Sequence, residues 1–399
     1  MSDGSVDRGA SADAAAGPGH VGAAEFGAAQ FGAAQFGAAL YRLLAADGGN
    51  LVLSPASIAA ALQMALCGAH GDTAAELATA LHTGGRDAAG GLRLLSDGLA
   101  GIPTGDVVFR APNTMWVQSG LPLLPRFTAT LREAAAVGVR DADFRRAAEQ
   151  ARQEINGLVA KQTENKITDL LGPGTLGVDT RLVLVNAIYL NAAWAFPFPE
   201  GATGNGPFYP GGPSAGAPVT ARMMRLRHEL RYLRGDGYQA VVLPYRGPTL
   251  AMIVVLPDGP IGSLPPELAA DLSGLARRAR RRRVTLVLPK FRQESGFHLV
   301  PVLRRLGIEK AFGAAADFSG ITAAQRLCIT EVAHKAYIDV AEWGTEAAAA
   351  TGAVMSAMAV ARPGPPVTMI VDHPFLFAIA DTASGLPLFL GQVTQPGAS

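Results

Sequence analysis

The stretch Glu342–Pro366 reads EWGTEAAAATGAVMSAMAVARPGPP. Between Glu346 and Arg362 it holds no charged side chain, and strand-like runs flank it, LCITEVAHKAYIDVAEWG, which overlaps its first three residues, and VTMIV after it. Local preferences conflict there. Ala347–Ala350 favour a helical turn, because alanine loses least on entering a helix, while Gly344 and Gly352 interrupt one on either side. In an extended segment, alternation instead puts Thr345, Ala347, Ala349, Thr351, Ala353 and Met355 on one uncharged face and leaves Glu346 on the other, where water can solvate it. Side chains this small demand little room between existing strands. The segment therefore has two accessible states, an exposed connection or an additional strand.

The rest of the chain supplies the sheet such a strand would join. With 399 residues, 49% of them hydrophobic, and a formal net charge of +1, the chain can bury the core of one large domain or two modest ones. Near-neutrality argues against a general nucleic-acid binder. The one long basic run, RRARRRR at Arg277–Arg283, reads as a solvated helix end, with an exosite for an acidic partner as the alternative. Cys67 and Cys328 make no disulfide framework and suggest neither metal nor redox chemistry. The first twenty residues lack a basic segment followed by an apolar core, and the longest apolar runs are too short to span a bilayer. The expectation is a cytoplasmic chain, unless another route exports it, that does not bind a membrane.

Residues 1–24 read as a flexible tail and residues 25–399 as the folded domain. A short repeat, EFGAAQFGAAQFGAAL, spaces Phe26, Phe31 and Phe36 five residues apart. Five residues advance a helix by about 140° beyond a full turn, so the three rings cannot share a face, and only the last copy is expected to pack as helix. SPASIAAALQMALCGA has Ser54 placed to cap a helix and Pro55 at its first position. Further helices are expected over 73–81, 88–99 and 145–162. Strands are expected at DVVFRAPNTMWVQ, TRLVLVNAIYLNAAW, VTARMMRLRHELRYL, YQAVVLPY, TLAMIVVLP, VTLVLPKFR, PFLFAIAD and LPLFLGQV. Helices dominate the first part and strands the second, which gives an α+β fold with large antiparallel or mixed sheets.

Motifs for catalysis do not survive their context. GPSAG around Ser214 matches a nucleophile elbow in letters but lies in a Pro/Gly loop without the strand and helix that the elbow requires. The glycine patterns from Gly172 and Gly235 each precede a strand, so they offer no helix N-terminus to a pyrophosphate. The seven histidines have no metal-ligand spacing. Nothing calls for a cofactor, and an enzyme is unsupported.

Several separated stretches, in order, resemble the serpins: NLVLSPASIAAALQMALCGAHGDTAAEL, VNAIYLNAAWAFPF, MIVVLPD, VTLVLPKF, HKAYIDVAEWGTEAAAATGAVM and HPFLFAIADTASGLPLFLGQV. The resemblance covers Phe36 to Val393. It implies three β-sheets, about nine helices and an exposed reactive-centre loop that baits a protease, is cleaved, and inserts into the main sheet while the protease is still acylated. Loop insertion of this kind is a known case of strand addition that releases stored strain.

Carried onto this sequence, the resemblance makes Gly344, Thr345, Glu346, Ala347, Ala348, Ala349, Ala350 and Thr351 the hinge of an inhibitory member. Family spacing puts the reactive bond at Met358–Ala359, with Met355–Ser356 as a second choice. Arg362 would attract a trypsin-like enzyme but precedes Pro363 and has the wrong spacing. An unbranched apolar Met suits the primary pocket of elastase-, chymotrypsin- or subtilisin-like serine proteases. Ser54, Ser57, Asn186 and His334 match the shutter that holds the central strands together, and Trp194, Lys290 and Glu342 match the breach where the loop enters. The implied protein is a monomeric suicide inhibitor. A non-inhibitory binding or chaperone-like serpin, cut only as a substrate, is the alternative.

Overall fold

The structure is a computed structural model, and it describes residues 23–102, 107–134, 137–213, 215–346 and 364–397. Among these are eight α-helices: α1 Ala23–Ala45, α2 Pro55–Leu66, α3 Gly71–Ala80, α4 Ala88–Ala100, α5 Pro125–Glu133, α6 Phe144–Gln162, α7 Leu272–Arg278 and α8 Val300–Arg305. Helix α2 starts where its sequence dictates. Ser54 has an extended backbone, its Oγ accepts from the Ser57 amide, and Pro55 occupies the first turn, where no amide hydrogen is needed. All twelve residues of α2 are buried, as befits a helix apolar on every side.

Helix α1 runs through the whole Phe-Gly-Ala-Ala repeat, farther than the sequence predicts, yet packing discriminates between the copies. Phe36 is fully buried and Phe31 is 62% exposed. The 140° offset thus decides which ring packs, while alanine propensity carries the helix through.

One sheet has seven strands in the order β11-β12-β13-β5-β3-β4, with β2 also paired to β5. These strands are β2 Val107–Arg110, β3 Asn113–Gln118, β4 Val137–Ala142, β5 Leu182–Ala193, β11 Phe291–His298, β12 Glu331–Ala341 and β13 Gly344–Thr345. The single strand expected over 106–118 is two, because Pro112 has no amide to donate to a ladder. Strand β5 is nearly continuous in apolar residues and buried on both faces. Helix α6 covers the outer face through Phe144, Ile155 and Val159, which pack with Trp116, Tyr189 and Tyr337.

The other sheet has nine strands, β1-β16-β15-β9-β8-β7-β10-β14 with β6 paired to β7. They are β1 Leu51–Leu53, β6 Gly204–Phe208, β7 Val219–Gly235, β8 Tyr238–Pro244, β9 Leu250–Pro257, β10 Arg280–Pro289, β14 Gly364–Ile370, β15 Phe375–Asp381 and β16 Pro387–Val393. Where three sheets were expected, the described residues form two hydrogen-bonded sheets. The 17-residue β7 explains the count: it pairs with β6 and β10 along most of its length and with β8 at its end, joining two portions into one ladder.

The basic run departs from its sequence reading. Helix α7 stops at Arg278, Ala279 is extended, and Arg280–Arg283 begin β10. A ten-residue antiparallel pairing with β7 overrides the local helical preference of arginine.

Candidate functional site

The centre of the seven-stranded sheet behaves differently along its length. Strands β5 and β12 are directly paired, in parallel, from Val183–Glu331 to Tyr189–Tyr337. Beyond that pair they separate and β13 lies between them, antiparallel to both, with Gly344 opposite Ala193 and Ala341, and Thr345 opposite Ala192 and Val340.

A polar row lies under the closed part. Asn113, Asn186 and His334 sit side by side across β3, β5 and β12, and the N-terminus of α2 meets them from below. The Ser54 amide donates to His334 Nε2 at 3.1 Å, and the Ser57 hydroxyl donates to Asn113 Oδ1 at 3.0 Å. Asn186 Nδ2 donates to Ser57 Oγ and Asn113 Oδ1, and Asn186 Oδ1 faces His334 Nδ1. Since Nε2 accepts, the ring proton belongs on Nδ1, where it donates to Asn186. Burial pushes the imidazole pKa down to about 3, so His334 is neutral with both nitrogens satisfied. Phe297 stacks on it from β11, with ring planes 6° apart. Ser54, Ser57, Asn186 and His334 are thus one buried cluster, to which the structure adds Asn113. Its sequence signal was slight, a polar residue just after Pro112 inside the strand expected over 106–118.

The open part is built around aromatic residues. Trp194 is 1% exposed, stacks on Tyr245 at 4.3 Å and donates from Nε1 to the Ala341 carbonyl at 2.9 Å. Its backbone amide donates to Trp343, and the Phe198 amide donates to the Glu342 carbonyl, both at 2.9 Å. Lys290 Nζ lies 2.9 Å from Glu342 Oε2. Burial pushes the Glu342 carboxyl up, but the bond from Lys290 and a backbone amide outweigh it and hold the group below its usual range. Trp194, Lys290 and Glu342 therefore meet at one mouth of the sheet, as a group.

Gly344 and Thr345 enter that mouth. A Cβ on Gly344 would lie 2.1 Å from the Ala192 carbonyl oxygen, so only glycine fits this approach. Thr345 is fully buried, and its hydroxyl meets Tyr245 Oη at 2.5 Å. Glu346 departs from the expected solvated position. Its φ is +54°, its amide donates to the Asp339 carbonyl at 2.7 Å, and its largely buried carboxylate pairs with Lys166. This left-handed backbone ends the regular strand geometry after Thr345, so the simple alternation stops there. Neither Tyr245 nor Lys166 had a sequence signal, since each lies far along the chain from the hinge. Ala347–Thr351, Met358 and Ala359 lie outside the described residues.

A mixed sheet that already seats Gly344 and Thr345, the residues leading into a long uncharged segment, between two central strands, inside this α+β fold, defines a serpin. The sequence matches the family described as "Serpin (serine protease inhibitor)" over residues 32–396, and the chain belongs to it. It is 36% identical to the leukocyte elastase inhibitor of Bos taurus, over 87% of this chain and 93% of that protein. It is equally 36% identical to a serpin-like protein of Thermococcus kodakarensis, over 90% of this chain and 83% of the relative. The crystal structure of a serpin from Tenebrio molitor superposes with a TM-score of 0.80 at 31% identity, over 95% of this chain and all of that one. Membership sets the chain among protease inhibitors, not catalysts.

Proposed function

We propose that the chain is a suicide inhibitor of serine endopeptidases with apolar primary specificity. A protease cleaves Met358–Ala359 and is held as an acyl-enzyme while residues from Glu346 onward follow Thr345 between β5 and β12. The observation that carries this reading is the seating of Gly344 and Thr345, antiparallel to both neighbours. Completing that strand replaces one parallel β5–β12 interface with two antiparallel ones, which are slightly more favourable per residue. Each net ladder hydrogen bond contributes about 1 kcal/mol, so a dozen residues supply a large driving force. The small side chains of Ala347–Ala350 and Thr351 enter without the desolvation cost of charge.

In this account the Asn113–Asn186–His334 row is the shutter and the Trp194, Lys290 and Glu342 group the breach, which together govern how the sheet parts. The relative named for leukocyte elastase supports a protease that accepts an apolar residue. Incubation with subtilisin, elastase, chymotrypsin and trypsin, followed by denaturing electrophoresis and mass spectrometry, tests the proposal. The expected result is a denaturant-resistant complex with one of the first three and a released peptide beginning at Ala359. Cleavage at this bond with every protease and no complex would overturn trapping in favour of a non-inhibitory serpin.

A further inference from the structure

The split of the basic run between α7 and β10 has a geometric consequence. Residues directly opposite across a ladder share a face. Arg281 is opposite Arg231, Arg283 opposite Glu229, Thr285 opposite Arg227 and Val287 opposite Arg225. The outward face of β7 and β10 thus gathers five arginines and one glutamate, on a chain whose net charge is +1. Arg225, Arg227, Arg281 and Arg283 are exposed, and among the described residues none of the four is in an ion pair. The other face is core, with Met224, Leu226, Val284 and Leu286 buried. Setting Arg281 directly against Arg231 is unfavourable for the sheet, so folding does not account for the arrangement.

The location supplies the partner. Edge strand β14 pairs with β10, and its first residue, Gly364, lies opposite Arg282. Gly364 is five residues beyond Ala359, a reach of at most about 18 Å, so on the inhibitory reading a protease engaged at the reactive bond is tethered near this end of the sheet. We infer that the arginine face of β7 and β10 is an exosite for an acidic surface on the attacking protease. The inference rests on the inhibitory reading for where the protease sits. Exposed charge of one sign acts mainly on the rate of encounter, and salt screens it.

The test compares chymotrypsin with succinylated chymotrypsin, whose surface lysines carry carboxylates, both titrated for active sites. The rate of attack on the loop is read as complex plus cleaved chain. At low salt the succinylated enzyme is expected to react about tenfold faster or more than the unmodified one, an advantage that high salt removes. Replacing all four exposed arginines (Arg225→Gln, Arg227→Gln, Arg281→Gln, Arg283→Gln) should abolish that advantage and leave the rate with unmodified chymotrypsin within about twofold, at an unchanged melting temperature. Equal rates for both enzymes with the unaltered chain, or an advantage that persists in the fourfold variant, would overturn the exosite. Acceleration by dextran sulfate with no effect of succinylation would assign the face to a polyanion and overturn it as well. Faster attack on the loop without covalent complex would instead sink the suicide reading and leave the exosite standing.

Discussion

The two ends of the β5–β12 seam solve opposite problems with different chemistry. At one end a row of neutral polar side chains, Asn113, Asn186 and His334, crosses three strands and is stitched to α2, with every member at most 4% exposed. At the other end stacked aromatics and an ion pair frame a gap that Gly344 and Thr345 already fill. Buried polar networks are costly when broken and unforgiving in geometry, so they hold one arrangement. Aromatic surfaces and a partly exposed ion pair tolerate rearrangement more readily. The closed end is thus locked by directional bonds, and in the proposed mechanism the open end is held by contacts that a new strand would replace.

The open end is most sensitive at Thr345. Thr345→Arg puts a charge at a fully buried position against Tyr245, where it has no partner. The expected outcome is complete conversion of the chain from inhibitor to substrate, read as loss of the denaturant-resistant complex with loop cleavage retained. Full complex formation by this variant would contradict the proposed route of entry.

The next effect lies at the closed end. His334→Ala leaves the Ser54 amide and the Asn186 carbonyl without partners and opens a hole beneath Phe297. The cost is on the order of 3 kcal/mol, seen as a lower midpoint in urea and as new slow-migrating or latent species on native gels. An unchanged midpoint and a clean monomer band would remove the cluster from the account.

His334 also makes the closed end sensitive to pH. Its pKa in the folded chain, about 3, lies below the ordinary value of 6.5. The unfolded chain therefore binds the extra proton first as pH falls. The stability contribution is fully present above about 6.5 and is lost progressively from there down toward 3, at a slope approaching about 1.4 kcal/mol per pH unit. Urea midpoints between pH 7 and 4 should fall more steeply for the unaltered chain than for His334→Ala. Identical slopes would mean that the ring titrates freely.

The smallest effect belongs to the ion pair at the mouth. Lys290 is about one-third exposed, so Lys290→Met should cost roughly 1 kcal/mol or less. Its stability loss should be several times smaller than that of His334→Ala, and a larger loss would show that the open end is not the weaker one.

Local chemistry made much of this legible in the sequence. Ser54 and Pro55 announce the start of α2 because a cap and a fixed φ act within a single turn. Alternation and apolar runs disclosed β5, β7, β9 and β12, whereas the uncharged stretch after Glu346 lies outside the described residues. What depends on register stayed hidden. Asn113 joins Asn186 and His334 only because three strands align side by side, Tyr245 meets Thr345 across an isolated bridge to Trp194, and Lys166 reaches Glu346 from beyond α6. The arginine run misled for the same reason: in isolation it suits a helix end, and only its pairing with β7 makes it a strand.

Once the loop is cut, the segment after Thr345 is expected to become a strand between β5 and β12. Thermal unfolding of the intact chain and of the chain cleaved at Met358–Ala359, under identical conditions, tests it most directly. Insertion of about a dozen residues at about 1 kcal/mol each predicts a melting temperature on the order of 10 °C or more higher in the cleaved chain. A cleaved chain that melts at or below the temperature of the intact one would contradict the claim.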